Sequence, residues 1–250
     1  MNQLMIKFMA DLQAGLVVRL GASIITLIFS LLFGTLLAIG QLSKYSWLRK
    51  LATIYVEFFK NIPLLVVAMF FFIVVPLYFI PINGFTAGVL GLILYTTAFI
   101  AETIRTGLLS IPKGQKEAGQ STGLRESEIM REIILPQAFR LVLPALGNQF
   151  VDLIKNSSIL AVVAAGDLMY HGDLIASNTF QTLDTYLLIG LMYLSLTLPL
   201  SYLMRYLEMR LAWGYQPKRF SLKLSQLEWR KKSSRKELIN NETVRSLHLD

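Results

Sequence analysis

Long uninterrupted apolar segments constrain the fold of this chain more than any other feature. The segment 16–40 reads LVVRLGASIITLIFSLLFGTLLAIG, and the segment 62–80 contains no charged residue. A helix needs about 20 mostly apolar residues to cross the hydrocarbon core of a bilayer. Because 54% of the 250 residues are hydrophobic, a soluble domain of this length could not bury them all. The sequence therefore predicts an all-α, polytopic membrane protein.

About five segments are predicted to span the membrane as helices, since a lipid-exposed backbone must satisfy its own hydrogen bonds. They are 16–40, 62–80, 85–101, 141–165 and 185–204. The fourth segment is apolar at both ends and polar in its middle. The N-terminus lacks a basic region followed by a small-residue cleavage site, so no cleaved signal peptide is predicted.

Lysine and arginine predict the orientation of these spans. They are concentrated in 41–61, in 102–140 and after residue 204, whereas the connections 81–84 and 166–184 carry none. Loops on the cytoplasmic side carry an excess of these residues. All three basic segments are therefore predicted to be cytoplasmic. Five spans then place the N-terminus outside and the C-terminus in the cytoplasm.

The sequence divides into a membrane domain over 1–210 and a basic tail over 211–250. The tail is predicted to be cytoplasmic and partly disordered, with a regulatory element as the alternative. Its Trp213 and Tyr215 are expected to rest on membrane lipid. The net charge of +8 does not indicate nucleic-acid binding, because the basic residues flank apolar segments. The chain has no cysteine and only two distant histidines, so no metal site is predicted.

The charged segment 116–134 interrupts the apolar pattern. Its spacing predicts a short helix, a turn at Gly123 and Leu124, and a second amphipathic helix that ends near Pro136. The residues alone leave two alternatives open. The helices could lie on the lipid headgroups, or they could dock into a groove of a cytoplasmic partner.

A known motif decides between these alternatives. The segment resembles the EAA motif of membrane subunits of ABC importers, which has the pattern E-A-A, three residues, G, nine residues, I-x-L-P. The matching residues are Glu117, Ala118, Gly123, Ile133, Leu135 and Pro136. Gly119 stands where the second alanine is usual, and a glycine costs about 1 kcal/mol of helix propensity. This helix is therefore expected to be slightly softer than in relatives.

The resemblance covers roughly residues 15–210 and is similar to the polar amino-acid permease branch. It also includes EFFKNIPLL at 57–65, AETIRTG at 101–107, IPKGQ at 111–115 and ILPQA at 134–138. The resemblance implies a type I importer fold in a bacterial cytoplasmic membrane. It also implies a second permease subunit (the same or a similar chain), two cytoplasmic ATPase subunits and an external solute-binding protein. The loop at about 112–137 would then be the coupling helix pair.

No G-x-x-x-x-G-K-[ST] phosphate loop occurs in the sequence. ATP and magnesium are therefore expected in the partner, with no cofactor and no catalytic site in this chain. A membrane-embedded enzyme is the second hypothesis, but the spans contain no histidine or cysteine to build a catalytic group. A channel or secondary transporter that needs no ATPase is the third, and the coupling motif argues against it.

A polar band lies inside the fourth apolar segment. Asp152 and Lys155 are three residues apart and are predicted to pair on one helix face. Charged groups at this depth usually face a protein interior or an aqueous cavity, although a self-satisfied polar network is the alternative. The run 156–158 is predicted to break the helix, as in many transporter sites. The predicted substrate pathway contains Asn148, Gln149, Asp152, Lys155, Asn156 and Ser157.

The resemblance also bears on the substrate. Relatives that carry cationic amino acids tend to have carboxylates at the positions of Gln149 and Asn156, which share a helix face. Both are neutral amides here, and an amide substrate offers them complementary donors and acceptors. Glutamine is therefore the predicted substrate. Glutamate, aspartate or a cationic amino acid remains the alternative.

Three further charged residues lie in or at the ends of spans. Arg19 is near the predicted outer end of the first span, where relatives often have threonine. It is expected either to snorkel to the headgroups or to guide a substrate carboxylate. Glu102 and Arg105 are three residues apart at the cytoplasmic end of the third span, and they are predicted to form a structural or gating pair.

Overall fold

The computed structural model describes residues 2–212, with side chains described over 8–211. Within that range all regular structure is helical, which confirms the predicted all-α class. The α-helices are α1 (Asn2–Gln41), α2 (Ser46–Asn61), α3 (Leu64–Met69), α4 (Val75–Tyr78), α5 (Gly84–Leu109), α6 (Lys113–Ser121), α7 (Glu126–Glu128), α8 (Leu135–Asn156), α9 (Leu168–Thr179) and α10 (Thr182–Ala212). The predictions for Trp213, Tyr215 and nearly all of the basic tail lie outside the described residues.

Three of the described helices are long and apolar enough to cross a membrane. They contain the segments Phe8–Gln41, Gly84–Leu109 and Thr182–Leu211. The pair Ser46–Asn61 and Leu64–Tyr78 would add a fourth span if it is counted as one, but it is bent by 101°. The predicted count of about five is therefore three or four by length and composition.

The predicted fourth span, 141–165, is broken in the structure. The α-helix ends at Asn156 and continues as a 3-10 helix over Ser157–Ala161. The hydroxyl of Ser157 donates to the Ile154 carbonyl at 2.8 Å, a local bond that competes with regular helical pairing. Ala164 and Gly166 then adopt positive φ angles and turn the chain toward α9. The break that the sequence predicted at 156–158 is present.

Two wide π turns also shape the helices, and each precedes a proline. They cover Phe70–Val74 and Ile129–Ile134, just before Pro76 and Pro136. A proline has no N–H to donate, and its ring clashes with the carbonyl four residues earlier. A π turn places that carbonyl differently, so the helix continues past the proline.

The core forms where α1, α5 and the broken end of α8 meet. Its central cluster contains Ala22, Val89, Leu92, Leu153 and Leu160, all of them buried. The α5 helix is the common partner, because it also packs on α2 through a second cluster. This core fixes the end of α8, and with it the polar band, against α1 and α5.

Candidate functional site

The charged segment folds as the sequence predicted, into a short helix, a turn and a second helix. The α6 helix ends in a Schellman motif, in which Leu124 N–H donates to Gly119 and Gly123 N–H donates to Gln120. Gly123 has a φ of +82°, which is the left-handed conformation that this motif requires. The second helix comprises α7 and the π turn that leads into α8.

Gly119 has a larger role than the predicted loss of helix propensity. It is the buried residue of α6 and lies against Ile129, whose side chain is 1% exposed. A Cβ atom at position 119 would lie 2.8 Å from Ile129 Cγ1 and 3.2 Å from Ile133 Cδ1. The absence of a side chain therefore lets the second helix pack directly on α6.

The other face of this helix pair is open to solvent. Glu117, Ala118 and Gln120 are exposed, while Leu124 is half-buried. Lys116 Nζ lies 2.9 Å from Glu126 Oε1 and joins the two helices. The hydrogen bond and charge of Lys116 lower the pKa of the Glu126 carboxyl. The segment thus presents a preformed polar surface to any partner on this side.

Four residues of the predicted substrate pathway converge on one polar cavity of about 360 Å³. They are Gln149, Asp152, Lys155 and Asn156. Lys155 Nζ lies 2.6 Å from Asp152 Oδ1, which confirms the predicted pair. Both side chains are about half exposed, so the pair is open to the cavity and not sealed in a dry core.

The opposite wall of this cavity comes from α5 and was missed in the sequence. Tyr95, Thr96 and Phe99 line it. The rings of Tyr95 and Phe99 have centroids 4.8 Å apart. The spacing 95, 96 and 99 puts these side chains on one helix face, a signal that was available in the sequence.

Three other members of the predicted pathway do not line the cavity. Asn148 is exposed elsewhere on α8, and Ser157 is fully buried. Arg19 is 0% exposed, so the expectation that it snorkels to the headgroups is wrong. Its guanidinium donates to the Ile154 carbonyl instead. Arg19 is buried because the Ile154 carbonyl and the Tyr193 ring contact it, and both are distant from it in the sequence.

Glu102 and Arg105 pair as predicted. Arg105 Nη2 lies 2.6 Å from Glu102 Oε1, and Arg105 Nε also donates to this carboxylate. Lys60, at the end of α2, lies 4.0 Å from the same carboxylate. The pair therefore belongs to a small charge network that connects α2 to α5.

A larger groove of about 910 Å³ runs along α1, α2 and α5, but its lining is mainly apolar. Phe29, Phe33 and Leu90 are typical of that lining. An amino-acid zwitterion needs charged or polar partners to replace its hydration. The smaller polar cavity is therefore the better candidate for a substrate site.

Comparisons with known proteins find a matching family and several similar proteins. A family described as "binding-protein-dependent transport system inner membrane component" matches residues 30–213. The chain is 48% identical over 194 residues to a probable glutamine ABC transporter permease protein, GlnM, of Bacillus subtilis, covering 78% of this chain and 90% of that one. It is 36% identical to the glutamine transport system permease protein GlnP of Escherichia coli, covering 70% and 84%.

Solved structures show the same fold. An amino acid ABC transporter crystallised with histidines matches with a TM-score of 0.79 at 32% identity, over 82% of this chain and 96% of that chain. An inward-facing methionine ABC transporter matches with a TM-score of 0.64 at 22% identity, over 83% and 97%. The second likeness concerns the fold alone.

Proposed function

The chain belongs to the family of binding-protein-dependent transport system inner membrane components, and we propose that it is the permease subunit of an ATP-driven glutamine importer. The polar cavity on α8 is the observation on which the proposed substrate depends. Its lining combines one carboxylate, one ammonium group and two neutral amides in a space of about 360 Å³. Two relatives that cover most of this chain are themselves named for glutamine.

The cavity supplies a partner for each group of a glutamine molecule. Lys155 binds the α-carboxylate and Asp152 binds the α-ammonium group. Binding therefore breaks the ion pair between Asp152 and Lys155 and forms two new ion pairs with the substrate. Gln149 and Asn156 hydrogen-bond the side-chain amide. A guanidinium or ammonium side chain would find no further carboxylate among these lining residues.

Energy reaches the cavity through the helix pair at 113–134. Its exposed face, with Glu117 and Ala118, docks on a cytoplasmic ATPase subunit, which binds ATP and magnesium. The π turn joins this pair to α8 without a loop. A movement of the ATPase is thereby transmitted to the helix that carries the cavity. This chain contributes no catalytic group and no cofactor of its own.

The remaining partners are a second permease subunit, a second ATPase and an extracytoplasmic solute-binding protein.

The helix arrangement supports a topology with the N-terminus outside and the C-terminus in the cytoplasm. Gly15 of α1 approaches Asp167, and Gly84 of α5 approaches Val163, so the predicted span 16–40 of α1 and the α5 helix both begin beside the α8–α9 connection. The α5 helix ends just before the coupling segment, at its other end. Within 8–211, most lysine and arginine residues lie toward that end of the helices.

Competition of labelled glutamine uptake by a panel of amino acids tests this proposal. The assay uses cells that express the permease with its ATPase and binding protein. Glutamine is expected to be taken up, and unlabelled arginine and lysine are expected not to compete. Preferred uptake of a cationic amino acid would overturn the role of the two amides. Preferred uptake of glutamate would assign the cavity to acidic substrates.

A further inference from the structure

Arg19 lies in α1 with a fully buried side chain. A charged guanidinium inside a membrane protein is costly unless it is paired and hydrogen-bonded. Two of its nitrogens, Nε and Nη1, have no hydrogen-bond partner among the described residues. The buried position of Arg19 must therefore depend on the contacts of its third nitrogen and of the planar face of the guanidinium group.

The third nitrogen, Nη2, donates to the backbone carbonyl of Ile154. This carbonyl lies in the last turn of α8, where regular helical N–H partners run out, and it also accepts from the Ser157 hydroxyl. A cation is favourable there because the partial charge at a helix C-terminus is negative. The arginine of one helix thus caps the broken end of another.

Two more contacts hold the guanidinium in this position. Its central carbon lies 3.3 Å from the centre of the Tyr193 ring in α10, a cation–π geometry. The Asp167 carboxylate, which accepts from the N–H groups of Met169 and Tyr170 at the start of α9, attracts it electrostatically. Arg19 therefore joins α1 to the end of α8, the start of α9 and the middle of α10.

The capped turn also carries the substrate cavity. Lys155 and Asn156 directly follow Ile154 and line the cavity, whereas Arg19 is not part of that lining. We infer that Arg19 is a positioning residue of transport. It holds the connection 154–167 between α8 and α9, here called the hinge, in one conformation. It thereby fixes the positions of the cavity side chains that lie next to this connection. This inference rests on the proposed function only for its consequence in transport, since the capping contact stands independently.

The absence of cysteine from the sequence permits a direct test. In the assembled transporter in proteoliposomes, Val163→Cys places a thiol at a fully buried hinge position, which reacts with a maleimide only when the hinge opens. Arg19→Met is expected to speed this reaction by about tenfold, the change that about 1.4 kcal/mol produces in an equilibrium constant. It is also expected to raise the amount of ATP hydrolysed per glutamine transported.

Two controls distinguish opening of the hinge from a general loss of packing in the protein. Val162→Cys, beside the hinge thiol but 51% exposed, should react at the same rate in every variant. Ser30→Ala removes a partly buried side-chain hydrogen bond from the same helix, to the Ile93 carbonyl of α5, and should leave Val163→Cys labelling unchanged. Equal acceleration by Ser30→Ala would overturn the inference, as would an unchanged rate in Arg19→Met.

If Arg19→Met is not recovered in the membrane, the Arg19→Lys variant tests the inference instead. Lysine keeps the charge but loses the planar group that stacks on Tyr193. Labelling of Val163→Cys should then be severalfold faster, and a rate equal to that of the parent would overturn the inference. The labelling needs no substrate, so a failure to transport glutamine would count against the proposed function and not against the hinge.

Discussion

Replacing Gly119 with leucine is expected to reduce ATP-driven uptake by about tenfold or more while the permease remains in the membrane. Even a Cβ atom at this position would lie 2.8 Å from Ile129 Cγ1, so leucine must push the second helix of the pair away from α6. Overpacking costs about 1–3 kcal/mol, and about 1.4 kcal/mol changes an equilibrium constant tenfold. The measurement is uptake at equal amounts of permease in the membrane.

Gly114→Leu is the matched control for this change. Gly114 lies in the same helix, but a Cβ atom there would have no neighbour within 4 Å. Gly114 shares the exposed face of Glu117 and Ala118, so Gly114→Leu adds bulk to the docking face without disturbing the contact with Ile129, and its loss of uptake should be smaller than that of Gly119→Leu. Equal losses in the two variants would show that α6 tolerates no added side chain, and they would contradict the specific role of the Gly119–Ile129 contact.

The double substitution Gln149→Glu with Asn156→Asp is expected to turn the preference from glutamine toward arginine. It places two carboxylates in the polar cavity, where a guanidinium can form charge-assisted hydrogen bonds. Hydrogen bonds to charged groups contribute about 1.5–3 kcal/mol, so the ratio of arginine to glutamine transport should rise by about tenfold or more. Uptake of both labelled amino acids by the same cells measures this ratio.

Asn148→Asp provides the control, since Asn148 is exposed on the same helix but does not line the cavity. It adds a negative charge to α8 without adding one to the cavity, so the ratio should not change. A shift as large as that of the double variant would mean that overall charge near α8, and not the cavity, selects the substrate. An unchanged ratio in the double variant would place selection in the binding protein.

Features that depend on local pattern could be predicted from the sequence. The turn at Gly123 was predictable because the Schellman motif needs a residue with positive φ, which glycine adopts most easily. The pairs Asp152–Lys155 and Glu102–Arg105 were predictable because residues three apart share a helix face. The resemblance to the family motif then predicted an ATPase partner for the segment 116–134, which the amphipathic pattern alone left open.

Features that depend on packing between distant segments could not be predicted. Arg19 is buried because it donates to the Ile154 carbonyl at the end of α8, and these two residues are 135 positions apart in the sequence. Gly119 was interpreted through helix propensity because its contact with Ile129 exists only after the turn has formed. The predicted pathway included Asn148 and Ser157 because sequence spacing alone does not show which face of α8 meets α5.

ATP-driven glutamine uptake by the reconstituted complex tests the central claim most directly. The permease, its ATPase and its binding protein are placed in proteoliposomes, and labelled glutamine is added outside with ATP trapped inside. Accumulation of glutamine against its gradient is expected with ATP, and none is expected with a non-hydrolysable analogue. The Gly119→Leu variant should hydrolyse ATP with little accumulation. Equal accumulation without ATP hydrolysis would contradict an ATP-driven importer.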